Sequence, residues 1–186
     1  MSERNSNIST KNNSTNSLIH IDFQKNNLLN VFISNLELMI EENKKLKNYL
    51  KIIHVQKKCI FSSLKYPKIP LLKYIKRIQE YTKMEESTFI ISLIYIDRVC
   101  ELSNIILTPF NIHRLLCTSI IISIKYNEDI IYENSYYADI FGIDTQELIM
   151  LELKFLELIN FNLFINKKQF NQYQMYLIKL MKIKNE

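Results

Sequence analysis

Gly142 is the only glycine in 186 residues, where ordinary usage of ~7% would supply about 13. A dinucleotide fingerprint or a phosphate-cradling loop needs several glycines where backbone approaches a phosphate closely. Both nucleotide-binding classes are therefore excluded. With only three prolines as well, the chain lacks the turn residues on which β-sandwiches and barrels depend. What remains is an all-α fold with short connections. Gly142 follows a short helical pattern at 133–140, and a left-handed residue there ends a helix without steric cost. It is expected to terminate that helix with a positive φ. A chain of this length buries roughly 70% of its unfolded surface, enough for one core without a metal or a disulfide.

Residues that carry chemistry are sparse. Cys59, Cys100 and Cys117 are far apart and odd in number, unlike zinc pairs or a disulfide framework, and read as buried thiols of a reducing compartment. His20, His54 and His113 have no second ligand at metal spacing. No serine lies in a glycine-flanked elbow, and no cysteine sits beside a base or a helix start that would activate it. No catalytic, cofactor or metal site is expected, and hence no enzyme. The longest apolar stretch, 115–124, falls short of the ~20 residues a bilayer span needs, and no apolar signal core opens the chain. The expected location is the cytoplasm, the nucleus or both, without a membrane partner.

Helical periodicity covers most of the chain. Residues 1–24 are dominated by Asn, Ser and Thr and are expected to be a disordered tail. A leading amphipathic helix follows from about 25 to 43, and 44–66 keep some helical pattern up to the boundary marked by Pro67 and Pro70. Further helices are expected at 71–83 and 86–102. Another should run from Thr108, as N-cap with Pro109 at the first turn, to about 127. The short helix at 133–140 comes next, then one capped by Asp144 or Thr145 and a last one capped by Asn166. Residues 115–124 are apolar almost all round, so their helix must be surrounded. Most Tyr and Phe residues fall on apolar stripes and read as core.

Charge is unevenly spread beneath the net +5. Residues 1–43 sum to −2, residues 44–83 hold twelve basic and one acidic residue for +11, and residues 84–186 sum to −4. Such a block is most simply a set of solvated helix faces. It also fits an acidic partner or nucleic-acid phosphate. Two single charges sit where apolar residues belong: Lys125 ends the most buried helix, and Glu152 lies four residues after Leu148 and three before Phe155. A desolvated charge needs a partner. Either the two lock their helices together internally or snorkel to water, or they form an ion pair at an exposed seam and present it to another protein.

Tyr95-Ile96-Asp97-Arg98, Asn111-Ile112-His113-Arg114-Leu115-Leu116, Lys125, and Leu151-Glu152 with Phe155-Leu156 resemble a cyclin box. Tyr136-Tyr137-Ala138 through Gly142-Ile143, Glu147-Leu148 and Asn160-Phe161-Asn162-Leu163 are similar to the single-box P/U type, the PHO-type cyclins that regulate cyclin-dependent kinases. The resemblance covers roughly residues 25–176. It implies a five-helix cyclin box at 67–165, preceded by a leading helix and basic insertion at 25–66 and followed by a C-terminal helix at 166–186.

The same resemblance implies that Lys125 and Glu152 contact the regulatory helix of a cyclin-dependent protein kinase, with Tyr126, Leu156, Phe161 and Leu163 at neighbouring interface positions. It implies a regulator of cell-cycle or phosphate-linked signalling, monomeric when no kinase is bound. Asp97 is structural in the family and pairs with an Arg early in the first box helix. Pro67 and Lys68 occupy that place here, and Arg77 is a candidate substitute. The peptide-docking patch of cell-cycle cyclins is not recognisable in Ile69-Pro70-Leu71-Leu72. The rival reading is a cyclin-fold nucleic-acid-binding transcription module that uses the basic segment 44–83.

Overall fold

A computed structural model describes residues 25–184; the tail at 1–24, with His20, lies outside the described residues. Eight helices follow in order: α1 (Lys25–Lys44), α2 (Tyr49–Gln56), α3 (Leu71–Thr82), α4 (Glu86–Ser103), α5 (Ile112–Asn127), α6 (Asn134–Phe141), α7 (Thr145–Leu158) and α8 (Lys167–Lys184). The described residues contain no strand, as the shortage of glycine and proline requires.

The helix of 115–124 is the centre. Every residue from 115 to 124 in α5 is buried, and α4 and α7 pack directly on it. Its three hydroxyls stay inside because the helix itself satisfies them. Thr118 donates to the Arg114 carbonyl at 2.6 Å, Ser119 to Leu116 at 2.9 Å and Ser123 to Ser119 at 2.7 Å. A buried hydroxyl bonded to its own preceding turn leaves nothing unpaired. Around this axis α1 packs on α3 and α8, α6 on α3 and α7, and α8 on α4.

Two helix starts behave as the cap residues dictate. Asp144 accepts from Gln146 N–H at 2.8 Å and Glu147 N–H at 3.4 Å, and Asn166 accepts from Gln169 N–H at 2.9 Å. The expected start of α5 at Thr108 is not what forms. Residues 108–111 make a turn, with Asn111 and Ile112 N–H both donating to the Thr108 carbonyl at 3.2 and 3.1 Å. Asn111 is the N-cap. Its amide faces back into that turn, accepting from Thr108 N–H and donating to the Ile106 carbonyl, each at 2.8 Å. A proline is equally at home at the second position of a turn and in the first turn of a helix, so its presence did not discriminate.

The basic segment contributes α2, an eight-residue helix with no buried residue. Of the three thiols only Cys117 is fully buried; Cys59 and Cys100 are half-buried against the core. Burial pushes the Cys100 thiol up to about 12 and the Cys117 thiol up to about 11, so both are inert at neutral pH. His113 sets its Nε2 3.0 Å from the Ile69 carbonyl, which calls for the proton on Nε2. Among the described residues no cluster of His, Cys, Asp and Glu could hold a metal ion, and no helix is long and apolar enough to cross a membrane.

Gly142 is the C-cap of α6 at φ 69°. Its N–H and that of Ile143 reach back to the Ala138 carbonyl at 2.8 and 3.1 Å. A Cβ there would stand 3.1 Å from Arg77 Nη2, which donates to the neighbouring Ile140 carbonyl. Arg77 is thus spent on the end of α6 and does not pair with Asp97. The partner of Asp97 is Tyr173 of α8, whose hydroxyl donates to Oδ2 at 2.9 Å. Periodicity placed both residues on helices, but which helix faces α4 is a matter of packing.

Gly142→Ala is expected to lower stability by about 1–2 kcal/mol, from left-handed strain and crowding of Arg77, read as a lower thermal midpoint with helicity kept. Burial, the largest influence, raises the Asp97 carboxyl above 3.8, against the opposing effect of the Tyr173 bond. The folded chain therefore holds that proton more tightly than the unfolded one. Its stabilising contribution is complete below the ordinary carboxylate value and is lost as pH rises through the raised one. Asp97→Asn keeps an acceptor for Tyr173 and is expected to match or exceed the parent at neutral pH, without the loss of stability from about pH 4 upward. Tyr173→Phe leaves the carboxylate unpaired and should cost about 1–3 kcal/mol. Urea unfolding at acidic and neutral pH measures both.

Candidate functional site

Lys125 occupies the last turn of α5, where the run of buried residues ends and a positive charge also suits the carbonyl end of the helix. Glu152 lies midway along α7. Packing of α7 on α5 brings the two together, and Lys125 Nζ donates to both Glu152 oxygens at 2.7 Å. Their side chains are 30% and 15% exposed. The pair is therefore neither sealed in the core nor free in water. An ammonium has three donors, two of which go to Glu152, so a third remains for an acceptor outside. A second pair ties the same helices nearer their N-terminal ends, Arg114 Nε to Glu147 at 2.5 Å.

Apolar residues neighbour the Lys125 pair on both of its helices. Ile149, Leu153 and Leu156 share a face of α7 with Glu152 at three and four spacing; the first two are exposed and Leu156 is half-buried against the core. Tyr126, next to the lysine, is 52% exposed. After α7 the chain exposes Phe161 at 61% and Phe164 at 69%, while Leu163 is half-buried. Tyr95 links this segment to the end of α5. Its hydroxyl donates to the Leu163 carbonyl at 2.9 Å, with the Asn127 side chain also in reach and Tyr126 nearby. Burial chiefly raises this phenol, to about 12, so it stays a donor at any physiological pH.

Lys125 and Glu152 are thus in direct contact, with Tyr126 and Leu156 on the same two helices and Phe161 and Leu163 in the segment that follows them. Asp97 and Gly142 stand apart, one against α8 and one between α6 and α7. Sequence reasoning named Arg98 only as part of the Tyr95–Arg98 motif and gave it no role; it donates from α4 to the carbonyls of Asn162 and, at 3.3 Å, Phe164. It missed the left-handed pair Asn160 and Phe161, at φ 52° and 54°. Asn160 carried a faint signal, because Asn tolerates that region better than most residues; nothing local to Arg98 signalled which carbonyls it would reach. The basic block forms no pocket of buried charge: Lys51 of α2 and Lys57 and Lys58 just after it are exposed.

The cyclin family model matches residues 3–163. Cyclin-U2-2 of Arabidopsis thaliana is 41% identical over 121 residues, covering 63% of this chain and 52% of the relative. Cyclin-U4-1 of the same plant is 37% identical over 127 residues, 68% of this chain and 63% of the relative. Cyclin-P3-1 of Oryza sativa subsp. japonica is 32% identical over 120 residues, 64% and 51%. The chain spans about half to three fifths of the length of these relatives. The match over most of the chain, the all-helical architecture and the U- and P-type relatives agree that the chain belongs to the cyclin family, with its likeness to the P/U type.

Proposed function

We propose that this chain binds a cyclin-dependent protein kinase through the α5/α7 seam and activates it allosterically, doing no chemistry itself. The observation that carries the reading is the Lys125–Glu152 pair, partly exposed, with exposed Tyr126 beside it on α5 and exposed Ile149 and Leu153 beside it on α7. A charged pair with apolar neighbours offers a partner both direction and burial. Charges fix register and exclude wrong partners, and the aromatic and aliphatic rim supplies most of the affinity. A pair serving only to lock two helices has no need of exposed apolar residues around it.

The activating step follows from what a kinase requires. Its regulatory helix carries the glutamate that must pair with the ATP-positioning lysine before phosphoryl transfer is efficient. A surface that binds that helix better in its inward position shifts the kinase towards the active state by the difference in affinity. Lys125 has a donor for a carbonyl or carboxylate of the docked helix, and Glu152 has lone pairs for its donors. The signalling context, cell division or phosphate, belongs to the same reading through the resemblance to the PHO-type family.

Lys125→Glu sets two carboxylates side by side at the seam and is expected to abolish kinase recovery in a pull-down with identification by mass spectrometry. The cost to the fold should be only about 1–2 kcal/mol, because the pair is partly solvated. Undiminished recovery would remove the seam from the interface. The charge swap Lys125→Glu with Glu152→Lys restores the internal attraction. It should recover the melting temperature but not the kinase, whereas recovery of both would mark the pair as a purely internal lock.

A further inference from the structure

The segment after α7 holds two large aromatic side chains in solvent and two successive non-glycine residues in the left-handed region. Asn160 at φ 52° and Phe161 at φ 54° each carry the steric strain that a Cβ meets in that region. Phe161 and Phe164 would gain by burial, yet remain 61% and 69% exposed. A short segment relaxes out of such a state unless its surroundings hold it. The α7 end supplies part of the restraint, through Phe161 N–H to the Leu156 carbonyl at 2.8 Å and Asn162 N–H to Ile159 at 3.0 Å.

The rest comes from one face of α4. Tyr95 and Arg98, three residues apart, take hold of three consecutive carbonyls: Tyr95 donates to Leu163 at 2.9 Å, and Arg98 donates to Asn162 through Nη1 and to Phe164 through Nη2 at 3.3 Å. The guanidinium lies over the Tyr95 ring, 5.8 Å from its centroid, and Nη2 is also 3.5 Å from Gln169 Oε1. A planar fork suits this bridging, and a lysine's single ammonium does not reproduce it.

We propose that Arg98 is a positioning residue: by bridging the Asn162 and Phe164 carbonyls it holds residues 160–164 in the left-handed geometry that displays Phe161 as a fixed docking side chain. Fixing an exposed aromatic in advance lowers the ordering cost of association, and buried aromatic anchors dominate interface energies. The consequence for kinase binding rests on the reading of the α5/α7 seam as the docking face; the hold on the backbone does not.

Two measurements test it. In the protein alone, Arg98→Ala should speed amide hydrogen exchange at Phe161 and Asn162 by about tenfold or more, as expected for loss of two charge-assisted bonds, with α5 amides unchanged. Exchange at the parent rate overturns the proposal whatever the kinase does. If that variant does not fold, Arg98→Lys replaces it, with the same amides expected to speed and an unchanged rate counting equally against the idea.

With the kinase that the parent chain captures, Arg98→Ala and Phe161→Ala should each weaken binding by about tenfold, and the double variant should be no weaker than Phe161→Ala alone. Adding Asn160→Gly, which removes left-handed strain, should return part of the binding lost in Arg98→Ala. Additive losses, or no rescue by Asn160→Gly, would overturn positioning as the route of action. A parent chain that captures no kinase would defeat the docking reading instead, and the exchange rates would still decide the role of Arg98.

Discussion

Complete burial of α5 between residues 115 and 124 is the constraint from which the remaining arrangement follows. A helix apolar on every side cannot face water, so α4 and α7 must lie directly on it and the outer helices must fill what they leave open. Truncating one of its buried isoleucines, such as Ile120 or Ile121, belongs to the class of core changes that cost about 2–5 kcal/mol. The polar exceptions, Thr118, Ser119 and Ser123, fit only because each bonds a carbonyl of its own helix. One apolar run therefore determines which faces of the neighbouring helices are spent on the core and which are left to meet a partner.

That division explains why the charged seam lies where it does. Lys125 is the first residue of α5 after the buried run, and Glu152 lies between buried Leu151 and exposed Leu153. Both side chains stand at the margin where core becomes surface. A pair deep inside would be weak evidence of anything but balanced desolvation, and a fully exposed pair would contribute little. At the margin the attraction is strong enough to orient the two groups, and both stay accessible. The Arg114–Glu147 pair ties the same two helices elsewhere, so the register of α5 on α7 does not depend on the candidate site alone.

The helices themselves were legible from periodicity, caps and breakers, because each of those signals is local. Asp144 and Asn166 cap as their side chains require, and Gly142 takes the left-handed conformation that glycine adopts without steric cost. Local signals failed where two structures share the same chemistry. Thr108-Pro109 serves a turn as well as a helix start, and the turn won because Asn111 bonds both its ends. Lys125 and Glu152 were legible as a candidate pair for another reason: an isolated charge next to an apolar run is costly wherever the chain goes.

Pairings across long stretches of sequence were not legible. Asp97 meets Tyr173 of α8 and not Arg77 of α3, and Arg77 closes the end of α6. Arg98 reaches the carbonyls of Asn162 and Phe164. Each depends on the rotation and crossing of whole helices, which side-chain packing sets and no window of residues encodes. The sequence by itself determined the helical class, the central helix, the turn at Gly142 and the two marginal charges, because burial cost and backbone preference act residue by residue. Only the tertiary structure decided which charges pair, which aromatic side chains stay exposed and which carbonyls Arg98 reaches, because those follow from distances between elements.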